Sequence, residues 1–171
     1  MKFYIASKSQ AAAREWKTAL EAEEYTIVAR WLDEDNFGSG PPYDDEERSQ
    51  NAVKDEEDVR ACDALIFRSE PDGGRAAGGK HVETGIAIAL GKPVYAIGPK
   101  ENIFHWHPLV KMFATFEGFM KYLAETDSKC RSCGGVGRVY AGYGDMMDRR
   151  LSDCSTCGGT GSRKRVYKLR S

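Results

Sequence analysis

The stretch 78–97, GGKHVETGIAIALGKPVYAI, places a glycine turn, an apolar helical segment and a short apolar strand in immediate succession. A similar unit comes before it, because the apolar run 64–67 follows a helical stretch at 46–62. Strands that alternate with helices are typical of a parallel sheet covered on both faces. The sequence therefore predicts an α/β fold whose ligands bind at the carboxyl ends of the strands.

The other elements of this first domain follow from the same patterns. We predict strands at 2–6, 26–32, 64–67, 93–97 and 112–116, and helices at 9–24, 46–62, 78–90 and through 124. This is a doubly wound, mostly parallel five-stranded sheet of the flavodoxin or Rossmann-like kind. The composition then changes to Cys, Gly, Arg and Lys, so we expect domains over 1–127 and 128–171.

The second domain contains the phrase Cys-X-X-Cys-Gly-Gly-X-Gly twice, at 130–137 and 154–161. It resembles the CxxCxGxG repeats of DnaJ-type chaperones, in two copies instead of four. Paired cysteines at this spacing bind zinc, and the glycines allow tight turns. We predict a small zinc hairpin with a structural Zn²⁺, held by Cys130, Cys133, Cys154 and Cys157. Four thiolates leave no open coordination position for a substrate, so we expect catalysis to occur in the first domain. We expect that catalysis there needs no cofactor.

Charge and hydropathy exclude several classes of protein. The net charge is only -1, although residues 128–171 carry ten basic against three acidic residues, which leaves a basic tail at 163–170. No run of about 18 apolar residues could cross a membrane, and the opening residues are too short for a secretory signal core. We expect a cytoplasmic protein without membrane contact, in which Cys62 is a buried apolar residue.

Glu83 is the first catalytic candidate. The buried stripe of its helix is expected at Val82, Ile86, Ala89 and Leu90. Glu83 would lie beside this stripe in the first turns, where a carboxylate tends to stay ionised and could act as a nucleophile. The alternative is a surface glutamate that complements the helix dipole.

Asp55 is the second candidate, because it interrupts the apolar face formed by Ala52, Val59 and Cys62. A carboxylate that faces a core is costly unless it is paired or reaches a site. Its acidic neighbours are expected to form a solvated face: Asp44, Asp45, Glu46, Glu47, Glu56, Glu57 and Asp58. Asp63 is expected to be a turn residue.

Polar and aromatic residues around these candidates have open roles. Gly78 and Gly79 would let backbone amides approach an anion, whereas Lys80 beside them is expected to be solvated. The rings in and around the acidic loop could stack on a base or pack the loop down: Trp31, Phe37 and Tyr43. The histidines at 81, 105 and 107 are expected to pack or to be exposed, not to catalyse.

Four features of the first domain resemble the nucleoside 2-deoxyribosyltransferase-like superfamily. They are Tyr4-Ile-Ala-Ser7, the spacing of Asp55 and Asp63, the segment 79–93 with Glu83, and Ile103-Phe-His-Trp-His-Pro108. The resemblance covers about residues 1–124. It implies that Glu83 attacks the sugar and that Asp55 serves the base or leaving group. It also implies that Ser7, Gly78 and Gly79 hold the sugar or a 5'-phosphate, and that the protein is a homo-oligomer.

The resemblance implies an enzyme that acts on a nucleoside or nucleotide substrate. We expect a 2-deoxyribosyltransferase or a deoxynucleoside 5'-monophosphate N-glycosidase that works through a covalent glutamyl-sugar intermediate. A phosphoribohydrolase group with a glycine-rich loop before a glutamate is a second, weaker resemblance at 71–74. The alternative is a non-catalytic nucleotide-sensing module whose zinc unit and basic tail bind nucleic acid or a protein partner.

Overall fold

The computed structural model describes residues 1–34, 44–70, 78–127, 138–141 and 150–153. The chain divides into two compact units, Met1–Phe119 and Met120–Ser171. The predicted zinc ligands, the loop rings Phe37 and Tyr43 and the basic tail lie outside the described residues. The predictions made for them therefore stay predictions.

Five parallel strands form the main sheet, in the order β2-β1-β3-β4-β5. The strands are β1 (Lys2–Ala6), β2 (Thr26–Ile27), β3 (Ala64–Arg68), β4 (Val94–Ile97) and β5 (Val110–Phe113). The helices are α1 (Gln10–Ala22), α2 (Asp45–Ala61), α3 (Gly79–Ala89) and α4 (Phe116–Asp127). This confirms the predicted doubly wound fold. The strand order reverses between β1 and β3, and sheets of this topology bind ligands at that switch point.

The central strand β1 sends alternate side chains to opposite faces of the sheet. Phe3 packs edge-on against Tyr25, Tyr95 and Phe119 on one face. Tyr4 points to the other face, where it interacts with Asp55 on α2 and Glu83 on α3. Residues 3–6 are completely buried, as expected for a strand covered on both sides.

The second strand is shorter than the predicted 26–32. Pairing with β1 stops at Ile27, and residues Arg30–Asp33 form a 3-10 helix. Two hydrogen bonds redirect the chain: the Arg30 N–H donates to Asp58 Oδ2 at 2.8 Å, and Trp31 Nε1 donates to the Ile5 carbonyl at 3.0 Å. Trp31 is buried, so it packs into the core and is not a surface ring for a base.

The second unit contains an antiparallel pair of strands, β6 (Arg138–Ala141) and β7 (Arg150–Asp153). The pair lies between the second and third predicted zinc ligands, where we expected an extended hairpin. The cysteines themselves lie outside the described residues, so zinc binding stays untested. Within the described ranges, each helix is too short or too polar to span a lipid bilayer.

Candidate active site

Two carboxyl groups and one phenol come together beside the switch point of the sheet. Glu83 lies in the second turn of α3, Asp55 lies in the middle of α2, and Tyr4 lies on β1 between these helices. Both carboxyl groups are partly buried, and the Tyr4 ring is fully buried. The structure thus brings the two predicted catalytic residues to one place, although they are far apart in sequence.

Burial gives both carboxyl groups an unusual affinity for protons. Burial, followed by the charge of Asp55, raises the pKa of Glu83 to about 8. Burial, together with the charges of Asp58 and Glu34, raises the pKa of Asp55 to about 6. Burial therefore opposes the predicted ionisation of Glu83, which its position near the start of a helix favours. Between these values the pair holds one proton, which makes one acid and one base.

Tyr4 is a site residue that sequence reasoning missed, because it lies in an apolar strand that was assigned to the core. Burial and the charges of Glu83 and Asp55 raise the pKa of its phenol, so the hydroxyl stays protonated. The hydroxyl makes no hydrogen bond of normal geometry with a described residue, yet it is near enough to lower the pKa of both carboxyl groups. The available signal was the hydroxyl group of a tyrosine in an otherwise apolar strand, because a buried tyrosine hydroxyl usually has a polar partner.

Helix α3 turns a different face to the protein than predicted. Val82 and Leu90, which were expected to be buried, are 64% and 41% exposed. The buried residues are Lys80, Thr84 and Ala87. Glu83 shares their face, because residues three and four positions apart lie above one another on a helix. The apolar pattern was misleading because two of the three buried residues are polar.

The other predicted substrate-binding residues lie at the starts of two helices. Gly78 precedes α3 with φ +94°, and a Cβ on Gly79 would lie 3.9 Å from Glu83 Oε1. The start of α3 therefore borders the Glu83 carboxyl group. Ser7 is buried after β1, where its Oγ accepts from the Ser9 N–H and donates to the Ser9 carbonyl, both at 3.1 Å. Sugar or phosphate binding by these residues stays a prediction.

Lys80 is buried, not solvated as predicted. Its Nζ pairs with Glu101 Oε1 at 2.8 Å, donates to the Arg68 carbonyl at 3.2 Å and lies 3.8 Å from Glu70 Oε1. The Glu101 carboxylate also accepts from the Glu70 N–H at 2.7 Å. The charge of Lys80 is thus compensated by two carboxylates that come from the loops after β3 and β4. We call Lys80, Glu70 and Glu101 the lysine cluster.

The described contacts of the histidines lie elsewhere than the carboxyl pair. His105 is buried, and its Nδ1 accepts from the Glu101 N–H at 2.9 Å. His81 contacts the Asn102 side chain at 3.0 Å, and His107 Nδ1 accepts from the Leu109 N–H at 3.2 Å. Burial lowers the pKa of His105. These contacts agree with the prediction that the loop histidines pack.

One member of the expected acidic face is buried. Asp58 is only 5% exposed, and its Oδ1 accepts from Arg30 Nε at 2.7 Å. The prediction that Asp58 is solvated is therefore wrong, because Arg30 supplies a partner that the pattern of α2 alone does not show. Asp63 accepts from the Lys2 N–H at 2.7 Å, which agrees with a turn role. The remaining members stay exposed at Asp44, Asp45, Glu46, Glu47 and Glu57.

Two surface cavities lie apart from the carboxyl pair. One of about 590 Å³ is lined by residues between Lys100 and Trp106, and one of about 360 Å³ lies between α3 and Phe104. Their linings do not include Glu83 or Asp55. Among the described residues, no group of three or more His, Cys, Asp or Glu side chains could hold a metal ion. The paired carboxyl groups therefore define the candidate site better than cavity volume does.

Comparison with known proteins identifies relatives of the first unit. The sequence profile of the family "Nucleoside 2-deoxyribosyltransferase" matches residues 3–132. A 2-deoxyribosyltransferase from Bacillus psychrosaccharolyticus has a similar fold, with a TM-score of 0.55 at 20% identity over 71% of this chain and 92% of that one. A CMP N-glycosidase from Clostridium botulinum matches with a TM-score of 0.49 at 14% identity, over 72% and 99% of the two chains. No curated protein sequence matches significantly.

Proposed function

Because this chain belongs to the nucleoside 2-deoxyribosyltransferase family, we propose that it cleaves the N-glycosidic bond of a nucleoside or nucleotide. The sugar would pass to another base or to water. The observation that carries the proposal is the pair Glu83 and Asp55, whose raised pKa values leave one acid and one base near neutral pH. Both residues lie inside the segment that matches the family.

The pair supplies both groups that a two-step displacement needs. Ionised Glu83 attacks the anomeric carbon while the bond to the base breaks, and the departing base takes a proton from Asp55. This leaves a glutamyl-sugar ester. An acceptor base or a water molecule then attacks the same carbon, Asp55 takes its proton, and the Glu83 carboxylate is released. Transfer and hydrolysis differ only in this second nucleophile.

The reaction requires the shared proton to lie on Asp55 when the bond breaks. The two pKa values alone favour the proton on Glu83, whose pKa of about 8 is the higher of the two. Positive charge that develops on the sugar favours the ionised form of Glu83 and so drives the proton toward Asp55. The active state holds one proton in total, so we expect a bell-shaped pH profile with its maximum near pH 7.

The start of α3 is the proposed anchor for the sugar or its 5'-phosphate. Backbone N–H groups in the first turn of a helix have no partner within the helix and favour anions. Gly79 offers such a group beside Glu83 without a side chain in the way. The Lys80 charge is already compensated by Glu101, so the backbone, not this lysine, would make the contact. Ser7 is proposed to line the sugar side of the site.

Incubation with nucleosides and their 5'-monophosphates, with and without an acceptor base, tests the function. Chromatography should show release or exchange of the base, and Glu83→Gln should lower the rate by at least about 1000-fold. The matched control Glu15→Gln changes an exposed glutamate of α1 and should leave the rate unchanged. Mass spectrometry of acid-quenched enzyme should detect the sugar on Glu83. Base release by Glu83→Gln at the normal rate would contradict the proposal.

For the second unit we propose a structural Zn²⁺ held by Cys130, Cys133, Cys154 and Cys157. The paired spacing and the β6–β7 strands between the pairs support it. Elemental analysis should find one zinc per chain and none when all four cysteines are changed to serine. Base release should persist without zinc, because the proposed catalytic groups all belong to the first unit.

The proposed enzyme is a homo-oligomer. Large apolar side chains are exposed after β4, at Ile103 (79%), Phe104 (61%) and Trp106 (65%), as is common where subunits meet. Light scattering on the eluting protein should give a mass above that of one chain. Phe104→Asp should reduce this mass, whereas Val53→Asp, at an exposed apolar residue of α2, should not.

A further inference from the structure

Arg30 connects the segment after β2 to the turn of α2 that carries Asp55. Its Nε donates to Asp58 Oδ1 at 2.7 Å, and its backbone N–H donates to Asp58 Oδ2 at 2.8 Å. Its Nη2 donates to Glu57 Oε2 at 2.8 Å and to the Lys54 carbonyl at 3.0 Å. The three acceptor residues lie within one turn of helix, on either side of Asp55. Arg30 therefore holds α2 through hydrogen bonds on both sides of Asp55.

Asp58 is the buried partner of Arg30 in this contact. It is 5% exposed, and both of its carboxylate oxygens accept hydrogen bonds from Arg30. An ion pair at such a position is a weak source of stability, because desolvation of the charges offsets their attraction. The geometry does fix orientation, because the backbone N–H and Nε of Arg30 hold the two oxygens of Asp58, while Nη2 of the same planar group holds Glu57 and the Lys54 carbonyl. The pair is thus better suited to orient α2 than to stabilise it.

We propose that Arg30 and Asp58 are positioning residues that hold α2 so that Asp55 faces Glu83 and the substrate. The inference rests on the proposed function, because Asp55 has to act on a substrate at this place. Neither residue touches the reacting atoms. They act through Asp55, and they also set the charge around it.

The two partners have opposite electrostatic effects on Asp55. Asp58 raises the pKa of Asp55, whereas Arg30 lowers it. The other groups that face Asp55 are Glu34, which raises its pKa, and Tyr4, which lowers it, while Glu83 on α3 feels its charge. Removal of Arg30 and removal of Asp58 should therefore shift the Asp55 titration in opposite directions, whereas a general loss of stability would not.

The experiment titrates Asp55 directly in the full-length protein. Carboxyl ¹³C signals are followed against pH, and the Asp55 signal is assigned with Asp55→Asn. Arg30→Gln should raise the pKa of Asp55 and Asp58→Asn should lower it. The matched control Arg60→Gln removes an exposed arginine of α2 that pairs with Glu56, and it should leave the titration unchanged. Shifts of Arg30→Gln and Asp58→Asn in the same direction, or no shift in either, would overturn the inference.

Kinetics supply the second readout. Both variants should lower kcat by about 10- to 100-fold with little change in KM, and the limb of the pH profile that belongs to Asp55 should move with its titration. Arg30→Lys keeps the charge but cannot contact Asp58, Glu57 and the Lys54 carbonyl at once, so it should lower kcat without moving the pKa of Asp55. Full activity in this variant would count against positioning. If wild-type protein releases no base from any substrate, the proposed function fails, while the NMR shifts still report on the pair.

Discussion

Two charged residues one turn apart on α3 have opposite surroundings. Lys80 is buried against two carboxylates, with Nζ 2.8 Å from Glu101 and 3.8 Å from Glu70. Glu83, on the same face of the helix, has its pKa raised by burial and then by the charge of its neighbour Asp55. Structural charges in proteins are usually compensated, whereas like charges held together in a partly buried place are typical of catalytic sites.

The difference assigns separate tasks to the two parts of one helix. The lysine cluster connects the start of α3 to the loops after β3 and β4, and Lys80 also lies 4.6 Å from the centre of the Phe67 ring. It holds the helix in place. Glu83 lies on the same helix and faces Asp55 on α2, which keeps two carboxyl groups close together in a partly buried place. Active sites often contain arrangements that lower the stability of the fold, because the same arrangements are needed for activity.

The largest expected effect is a loss of stability with rising pH that depends on Glu83. Its pKa is about 8 in the folded protein, against 4.5 as the ordinary value, so the folded state binds a proton that the unfolded state releases between these values. The free energy of unfolding therefore falls as pH rises from 4.5 to 8, by up to about 5 kcal/mol, because the folded protein has to keep an ionised Glu83 in a buried place at high pH.

Urea unfolding followed by tryptophan fluorescence at pH 5, 7 and 9 measures this dependence, because all three tryptophans belong to the first unit. In Glu83→Gln the decline should be much weaker, and the variant should be more stable than wild type at pH 9. The exposed control Glu15→Gln should behave like wild type. An unchanged decline in Glu83→Gln would mean that the carboxyl pair is not strained.

Removal of the Lys80 charge should also destabilise the fold strongly. Lys80→Met removes the cation that Glu70 and Glu101 share. Arg68, 3.2 Å from Glu70, and His81, 3.5 Å from Glu101, remain as basic neighbours, so the free energy of unfolding should fall by about 3 kcal/mol, the lower end for a broken buried ion pair. Urea unfolding measures this cost, with the exposed Lys121→Met as control. A cost below about 1 kcal/mol would place Lys80 among ordinary surface lysines.

The sequence was sufficient for the fold and for the candidate acids, but not for their surroundings. Alternating apolar strands and helices predict the sheet, and Asp55 stands out because it interrupts an apolar stripe. Lys80 and Asp58 could not be assigned, since their partners Glu101 and Arg30 come from other parts of the chain. The inward face of α3 was misassigned because two polar residues are buried there: Lys80, whose partners come from distant loops, and Thr84, whose hydroxyl donates to the Lys80 carbonyl within the helix.

Tyr4→Phe tests the phenol between the carboxyl groups and should have a moderate effect. Tyr4 lowers the pKa of both Glu83 and Asp55, so its removal should raise both pKa values and move the pH profile of base release to higher pH. We expect kcat to fall by about 10-fold, because the variant changes the protonation of both proposed catalytic groups by an amount on the order of 1 kcal/mol. Tyr95→Phe, on the opposite face of the sheet, is the matched control. An unshifted pH profile would exclude Tyr4 from the site.

The smallest expected effect concerns the two glycines that begin α3 and therefore support both regions. Gly78 has φ +94°, so Gly78→Ala should cost about 1 to 2 kcal/mol through strain alone, because a Cβ there meets no atom within 4 Å. Gly79→Ala has no such strain and should change stability little, but its Cβ lies 3.9 Å from Glu83 Oε1. Urea unfolding and base-release rates should therefore separate the two: Gly78→Ala lowers stability more than activity, and Gly79→Ala does the reverse. If both variants lost stability and activity together, the lysine cluster and the carboxyl pair would not be separable functions of one helix.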